Sequence, residues 1–369
     1  MNHEYVGIVV IGRNEGERLV DCLASVKAVT GNIVYVDSGS TDGSIAAAKR
    51  IGASVVMLDL SQPFTAARAR NEGFAALKAY GPGIRFVQFI DGDCILDCGW
   101  IDKALAFIEQ REDVAIVCGR RRERYPAASI YNRLFDLEWD TPIGEAVACG
   151  GDALTRVKAF EAVGGFRPRV IAGEEPELCV RLREGGWKIW RLDAEMTQHD
   201  AAMTRLGQWW VRAVRSGYGF AEVSRLHRTS PFRIWTRAIP SAIFWGGLLP
   251  ALIVLGGLVD PRFLCAALVY PLEVLWIAIR RGLASPCVWT YAVLTMLAKV
   301  AQITLHYNIS CYVSLENHMA CGFGVCFSCV APIVQAGGAI DLRRVCVEGP
   351  VFDARTVAWD AVLGSHLAG

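Results

Sequence analysis

The first 119 residues alternate between short apolar runs and stretches with helical spacing. Val6–Ile11, Ile33–Val36, Ser54–Leu58, Ile84–Ile90 and Val114–Cys118 read as strands, each a short apolar run bounded by turn residues. Between them, Glu15–Val26, Ile45–Ile51, Ala66–Ala79 and Trp100–Glu109 place apolar residues on one helical face. Repeated βα units of this length predict an α/β domain, a largely parallel sheet with helices on both faces. Asp91-Gly92-Asp93 directly follows Ile84–Ile90, so two carboxylates sit at the mouth of that sheet, where open α/β folds bind ligands. Such a pair suits Mg²⁺ or Mn²⁺ with water and substrate phosphates in the remaining positions. A solvated strand-end turn could carry the same residues.

The pattern changes after residue 240. Ser241–Val259 runs for nineteen residues without a charge, near the length that spans a bilayer. Leu264–Ile279 is shorter, contains Glu273 and is closed by Arg280-Arg281. Val288–Leu305 is interrupted by Lys299 and Gln302, which fits a helix lying in the interface. Seven arginines lie between residues 205 and 237 against one acid, Glu222, with Trp209, Trp210 and Trp235 among them. This reads as a cytoplasmic juxtamembrane belt; a buried soluble helical bundle is the alternative.

Charge adds an exclusion. Thirty-eight Lys and Arg stand against 37 Asp and Glu, so no basic footprint for nucleic acid exists. The mean hydropathy of +0.30 supports membrane segments. The N-terminus enters a strand after Glu4 without a basic region, so no signal peptide is expected. Of thirteen cysteines, nine are scattered, which fits a reducing compartment. The expected location is the bacterial cytoplasmic membrane, with the α/β domain and the C-terminal residues facing the cytoplasm.

Several segments, taken in order, resemble the family 2 glycosyltransferases. They are Val9–Glu15, Val36–Gly43, Phe89–Asp93, Gly150-Gly151-Asp152, Val163–Phe166 and Gly173–Leu178. The resemblance covers about residues 5–230 and implies a GT-A fold that binds a nucleotide-diphosphate sugar, a UDP-sugar by expectation. It implies that Asp37 contacts the nucleobase, that Arg13, Asn14 and Glu15 line the nucleotide pocket, and that Asp91 approaches the ribose or the metal. Asp93 would hold the divalent ion on the diphosphate, with His199 as a further ligand or a structural residue. Arg68 and Asn71 could add phosphate or ribose contacts, or lie on a solvated helix face. Glu174 and Glu175 occupy the place where relatives usually carry Glu-Asp. One of them, Glu175 first, would take the acceptor proton in a single inverting displacement. Gln208, Trp209 and Trp210, with Arg212, resemble an acceptor-side patch; a membrane-facing helix is the other reading. Arg120, Arg121, Arg122 and Arg124 could clamp phosphate, although a solvated charge run is the preferred reading. A membrane-bound enzyme of this kind implies a lipid-linked or envelope-glycan acceptor.

Four clustered cysteines do not belong to that picture. Cys321, Cys326 and Cys329, followed by Cys346, have the spacing of plant-type [2Fe–2S] sites, with zinc as the rival metal. The surrounding residues 312–359 resemble the cluster domain of the dihydroorotate dehydrogenase electron-transfer subunit. That resemblance implies a redox partner such as the dehydrogenase catalytic subunit, although the flavin and nicotinamide domains that should precede it are missing. The expected divisions are a GT-A domain at 1–232, membrane-associated helices at 233–307, the cluster module at 308–359 and a tail at 360–369. No Gly/Ser or Pro linker precedes the module, so a natural fusion, joined reading frames without joint function, and an electron-transfer protein with a nucleotide-binding anchor are all considered.

Overall fold

The computed structural model describes residues 3–62, 65–81, 83–281, 289 and 291–299, together with four short strands between 312 and 353. The chain divides into two compact units, 1–303 and 304–369. In the first, β1 (Val6–Gly12), β2 (Ile33–Asp37), β3 (Ser54–Met57) and β4 (Phe86–Asp91) run parallel, joined by α1 (Glu17–Lys27), α2 (Ser44–Ile51) and α3 (Ala66–Tyr80). Then come β5 (Cys94–Leu96), α4 (Trp100–Ile108), β6 (Val114–Glu123), α5 (Ile130–Glu138), β7 (Gly144–Ala146), β8 (Ala153–Arg156) and α6 (Val157–Ala162). The last elements of the sheet region are α7 (Glu174–Glu184) and β9 (Lys188–His199), and α8 (Leu206–Leu226) follows. The nine strands form one sheet in the order β3-β2-β1-β4-β8-β6-β9-β5, with β7 added on β9. The second half of the sheet is mixed: β8 lies antiparallel between β4 and β6, while β6 and β9 are parallel.

The parallel half forms where the sequence is most regular. β2 is buried along its whole length, as a strand covered on both faces must be. Thr65 caps α3 by accepting the Arg68 amide at 3.1 Å, and Ser129 caps α5 by accepting the Asn132 amide at 2.9 Å. α3 lies close on the sheet because Gly73 has no side chain. A Cβ there would stand 2.4 Å from Val9 and 2.8 Å from Val36. Gly73→Ala is therefore expected to push α3 off the sheet and to lower unfolding free energy by roughly 1–3 kcal/mol. A lower denaturant midpoint with an unchanged slope would show it.

Beyond α8 the chain exposes its apolar side chains. Ala238–Val259 and Pro261–Ile279 are two helices long and apolar enough to cross a membrane. The first combines α9 (Ala238–Ile243), a π turn at Phe244–Leu248 and α10 (Leu249–Val259). The second combines a 3₁₀ stretch at Pro261–Leu268 with α11 (Val269–Arg281). Leu258 and Val259 are 79% and 86% exposed, which only an apolar surrounding or a partner would favour. In the second unit, β10 (Tyr312–Ser314) pairs antiparallel with β13 (Val351–Asp353), and β11 (Val330–Val334) with β12 (Ile340–Arg344).

Candidate active site

The winding of the sheet reverses between β1 and β4, and ligands of open α/β sheets bind outside the strand ends at that point. Ile11 on β1 registers with Asp91, the last residue of β4. The Asp91 carboxylate is engaged by Arg70 Nη2 at 2.7 Å and by Arg121 Nη2 at 3.4 Å, and its amide donates to Asp152 Oδ1 at 3.1 Å. Arg70 also donates to Glu174 Oε1 at 2.6 Å, so one guanidinium joins α3 to both β4 and the start of α7. Burial alone would lower the Arg70 pKa, but Asp91 and Glu174 more than reverse this and raise it. Gly151 backs the pair closely: a Cβ there would meet Arg70 Nη2 at 3.0 Å and Asp91 Oδ2 at 3.2 Å.

Asp93 has a different environment. Its Oδ2 lies 3.2 Å from His199 Nε2 at the end of β9. Burial would raise its pKa, yet the His199 hydrogen bond and charge, with Arg121 and Arg18, hold it well below the usual carboxylate range. For His199, burial and Arg121 push downward, and the carboxylates of Asp93 at 3.2 Å and Glu123 at 3.9 Å outweigh them, so its pKa is raised. The Trp139 ring meets His199 edge-on at 4.8 Å and Arg121 stacks over the same ring at 4.9 Å. Glu15, ion-paired to Arg18 at 2.8 Å, is pushed up to about 7, first by burial and then by Asp93. A carboxylate and an imidazole side by side at a crevice crowded with acid form a donor set that fits Mn²⁺ or Mg²⁺. Asp93 and His199 could hold such an ion.

Several expected site residues brace loops. Asn14, with φ of 55°, accepts the Thr41 amide at 2.7 Å on its side-chain oxygen and donates its own backbone amide to the Ser40 hydroxyl oxygen at 2.9 Å, while Arg13 beside it is exposed. Asp37 is fully buried, and its carboxylate takes the Tyr35 hydroxyl at 2.9 Å and the amides of Gly39 and Ser40 at 2.9 and 2.8 Å. Arg68 donates to the carbonyls of Asp59 and Gln62. Asn71 pins Phe166 through both its amide and its carbonyl, at 3.0 and 2.7 Å. Neither Arg68 nor Asn71 is a solvated helix residue; Arg70, between them on the opposite register, is the α3 residue that reaches the acids.

Glu175 sits in its own buried pocket. Its Oε1 accepts the Cys149 amide at 2.6 Å and the thiols of Cys149 and Cys179 at 3.0 Å each. Burial raises its pKa, and the thiol and amide of Cys149 moderate the shift. On α8, Gln208 Oε1 caps the amides of Thr204 and Arg205, and Trp209 is buried against Leu134 and Phe135 with Trp210 packed alongside. Beside them lies a cavity of about 320 Å³ with Leu134, Phe135, Trp209, Arg212, Tyr291 and Lys299 in its wall. Arg212 stacks 4.0 Å over Phe135, and burial followed by Arg121 pushes its pKa down to about 10.

The preferred reading of the arginine run as solvated is corrected for Arg120 and Arg121. β6 continues through Glu123, and an irregular register against β9 between Cys118 and Arg121 turns both Arg120 and Arg121 inward. Arg120 pairs with Asp136 at 3.2 Å and Arg121 lies between Asp91 and Asp152; Arg122 alone of the three is exposed, paired with Glu195 at 2.7 Å. Arg70 received no site role from the sequence, Arg121 only the less favoured one of a phosphate clamp, and Asp152 only its place in the Gly150-Gly151-Asp152 segment. Cys321, Cys326, Cys329 and Cys346 lie outside the described residues.

Comparison with known proteins agrees with both halves. Residues 7–164 match Glycosyl transferase family 2, and residues 316–358 match the iron–sulfur cluster binding domain of dihydroorotate dehydrogenase B. The first match falls on a GT-A-like α/β fold followed by two apolar helices, and the second on the C-terminal segment. It is 26% identical over 248 residues to a pre-mycofactocin glycosyltransferase of Mycobacterium tuberculosis, which covers 63% of this chain and 51% of that one. Over 62 residues it is 40% identical to the electron transfer subunit of dihydroorotate dehydrogenase B (NAD(+)) from Caldanaerobacter subterraneus, covering 17% of this chain and 25% of that subunit. The chain therefore spans about half and a quarter of these relatives. Among solved structures, the mannosyltransferase PcManGT of Pyrobaculum calidifontis, in complex with GDP-Man and Mn²⁺, superposes with a TM-score of 0.52 at 18% identity over 82% of this chain and 87% of that one. That likeness concerns the fold.

Proposed function

We propose that the chain is a metal-dependent, inverting glycosyltransferase that moves a sugar from a nucleoside-diphosphate donor, a UDP-sugar first, to an acceptor hydroxyl at the cytoplasmic face of the membrane. The observation that carries this reading is the Asp93–His199 pair at the β1/β4 crevice, a 3.2 Å donor pair surrounded by acids and arginines. Asp93 and His199 would hold the divalent ion, which when bound would supply positive charge to the departing diphosphate. Asn14 and Asp37 shape the loop that receives the nucleotide, with Arg13 and Glu15 at its rim. Arg70 and Arg121 fix Asp91 and keep it from repelling the donor. Glu175 takes the proton of the attacking hydroxyl; the new bond forms on the face opposite the leaving diphosphate, so configuration inverts. Glu174 is held by Arg70, which favours Glu175 for this role.

The acceptor is an amphiphile, lipid-linked or an envelope glycan. The cavity beside Trp209 supports this, because it pairs apolar walls with the Arg212 cation and lies in the same unit as two exposed apolar helices. In the C-terminal module Cys321, Cys326, Cys329 and Cys346 would hold a [2Fe–2S] cluster, and a redox partner similar to a dehydrogenase subunit could meet it there. Glu175→Gln tests the reading. It is expected to keep Mn²⁺-dependent UDP binding and to lower sugar transfer by roughly 10²–10⁴-fold. Because burial raises the Glu175 pKa, wild-type transfer should fail on acidification at a higher pH than an ordinary carboxylate would give. Turnover by Glu175→Gln at the wild-type rate would remove Glu175 as the base, and absence of metal-dependent nucleotide binding in the wild type would remove the reading itself.

A further inference from the structure

The cysteines beside Glu175 form an arrangement that sugar transfer does not need. Cys179 lies one helical turn after Glu175 on α7, so the two side chains share a face. Cys149 approaches from the segment between β7 and β8. Cys149 Sγ and Cys179 Sγ are 3.8 Å apart, and each lies 3.0 Å from Glu175 Oε1. We propose that Cys149, Glu175 and Cys179 form a binding site for a soft divalent cation such as Zn²⁺.

The geometry carries this. In a tetrahedral zinc site with Zn–S of about 2.3 Å and Zn–O of about 2.0 Å, the S···S edge is ~3.8 Å and the S···O edge ~3.5 Å. The sulfur pair already has the first spacing, and the carboxylate needs a shift of about half an ångström for the second. Two sulfurs and one oxygen leave the fourth position for water, the donor count of an open zinc site. Glu175 and Cys179 are held on a buried helix, so two of the three ligands are pre-positioned, and half-buried Cys149 is the side from which an ion enters. On coordination each thiol releases its proton to solvent and the two sulfurs bind as thiolates. Two thiols separate this site from the Asp93–His199 pair, whose oxygen and nitrogen suit Mn²⁺ and Mg²⁺ and which has the single thiol of Cys94 beside it. The site stands whatever chemistry Glu175 performs; one consequence rests on the proposed function, namely that Zn²⁺ occupies the lone pairs an acceptor proton requires and inhibits transfer.

The test uses the full chain with its iron–sulfur cluster assembled, so that the C-terminal cysteines are already engaged. Zn²⁺ affinity is measured by competition with a chromophoric chelator, and Co²⁺ is added as a spectroscopic substitute. The expected result is one zinc equivalent lost in both Cys149→Ser and Cys179→Ser, with affinity falling by at least the roughly 10–100-fold that loss of an outer-shell partner costs. A thiolate-to-cobalt charge-transfer band should disappear with it, and Asp93→Ala should leave both readouts unchanged. Equal zinc affinity in wild type and Cys149→Ser, or Co²⁺ binding without a thiolate band, would overturn the site. Cys149 is half-buried in a loop, so its variant keeps the test decisive even if Cys179→Ser fails to fold. Zinc binding without loss of transfer would retain the site and reject the role of Glu175 as base.

Discussion

Asp93→Ala is expected to lower sugar transfer by ~10³-fold or more while the protein stays folded. The expected size follows from what the carboxylate faces. Asp93 lies 3.2 Å from His199 at the ligand crevice, whereas Asp91 two residues earlier is taken by two arginines. Removing Asp93 therefore leaves His199 as a single donor, and one imidazole does not hold Mn²⁺ or Mg²⁺ against water. The fold should survive for an electrostatic reason. Asp93 stands among Glu15, Asp91 and Asp152, and after burial it is the largest contributor to the Glu15 pKa of about 7. Its loss relieves repulsion, lets Glu15 ionise more readily, and removes no buried countercharge that another residue depends on except the partly compensated His199, which keeps Glu123 nearby. The measurements are transfer rate, Mn²⁺-dependent UDP binding by calorimetry, and thermal unfolding. Near wild-type turnover would reject Asp93 as the metal ligand; loss of turnover together with loss of folding would reject the electrostatic account.

The parallel half of the sheet is legible because β1, β2 and β4 are buried over most of their length on both faces. Ile33–Val36 and Ile84–Ile90 are apolar runs with no competing helical reading, and the structure places β2 and β4 within a residue or two of them. The other half hides for a physical reason. β5 and β7 are three residues long, and β6 stops looking like a strand after Cys118 because its arginines pair with acids instead of burying apolar surface. The same holds for the site. Asp91 and Asp93 are legible as strand-end acids, but which one faces the crevice depends on Arg70 and Arg121, which come from α3 and β6. Asp37 and Asn71 carry polar groups in the right segments; that their hydrogen bonds are spent on Gly39, Ser40 and Phe166 is a property of three-dimensional packing. The Glu175–Cys149–Cys179 cluster joins residues 26 and 30 positions apart, a spacing that carries no sequence signal.

Arg70 should prove the residue on which this half of the site depends for stability. Its side chain is 3% exposed and forms ion pairs of 2.7 Å with Asp91 and 2.6 Å with Glu174. Arg70→Met keeps most of the volume but leaves Glu174 without its countercharge and Asp91 with only the longer 3.4 Å contact to Arg121, at an expected cost of roughly 3–5 kcal/mol. Arg70→Lys should recover only part of this, because one ammonium cannot donate along two fixed directions to carboxylates on different elements. The origin of the loss is separable from lost packing. If uncompensated charge is the cause, Arg70→Met combined with Asp91→Asn and Glu174→Gln should be more stable than Arg70→Met alone, a strongly non-additive result. If packing against Phe166, 5.6 Å below the guanidinium, is the cause, the triple variant should be no better than the single one. Chemical unfolding of the four proteins decides between these, and wild-type stability in Arg70→Met would contradict both. Transfer should stay low in the triple variant even if stability returns. Asparagine at position 91 and glutamine at 174 refill the space without the ion pairs that orient β4 against α7, so the Asp93 and Glu175 carboxylates lose their common reference.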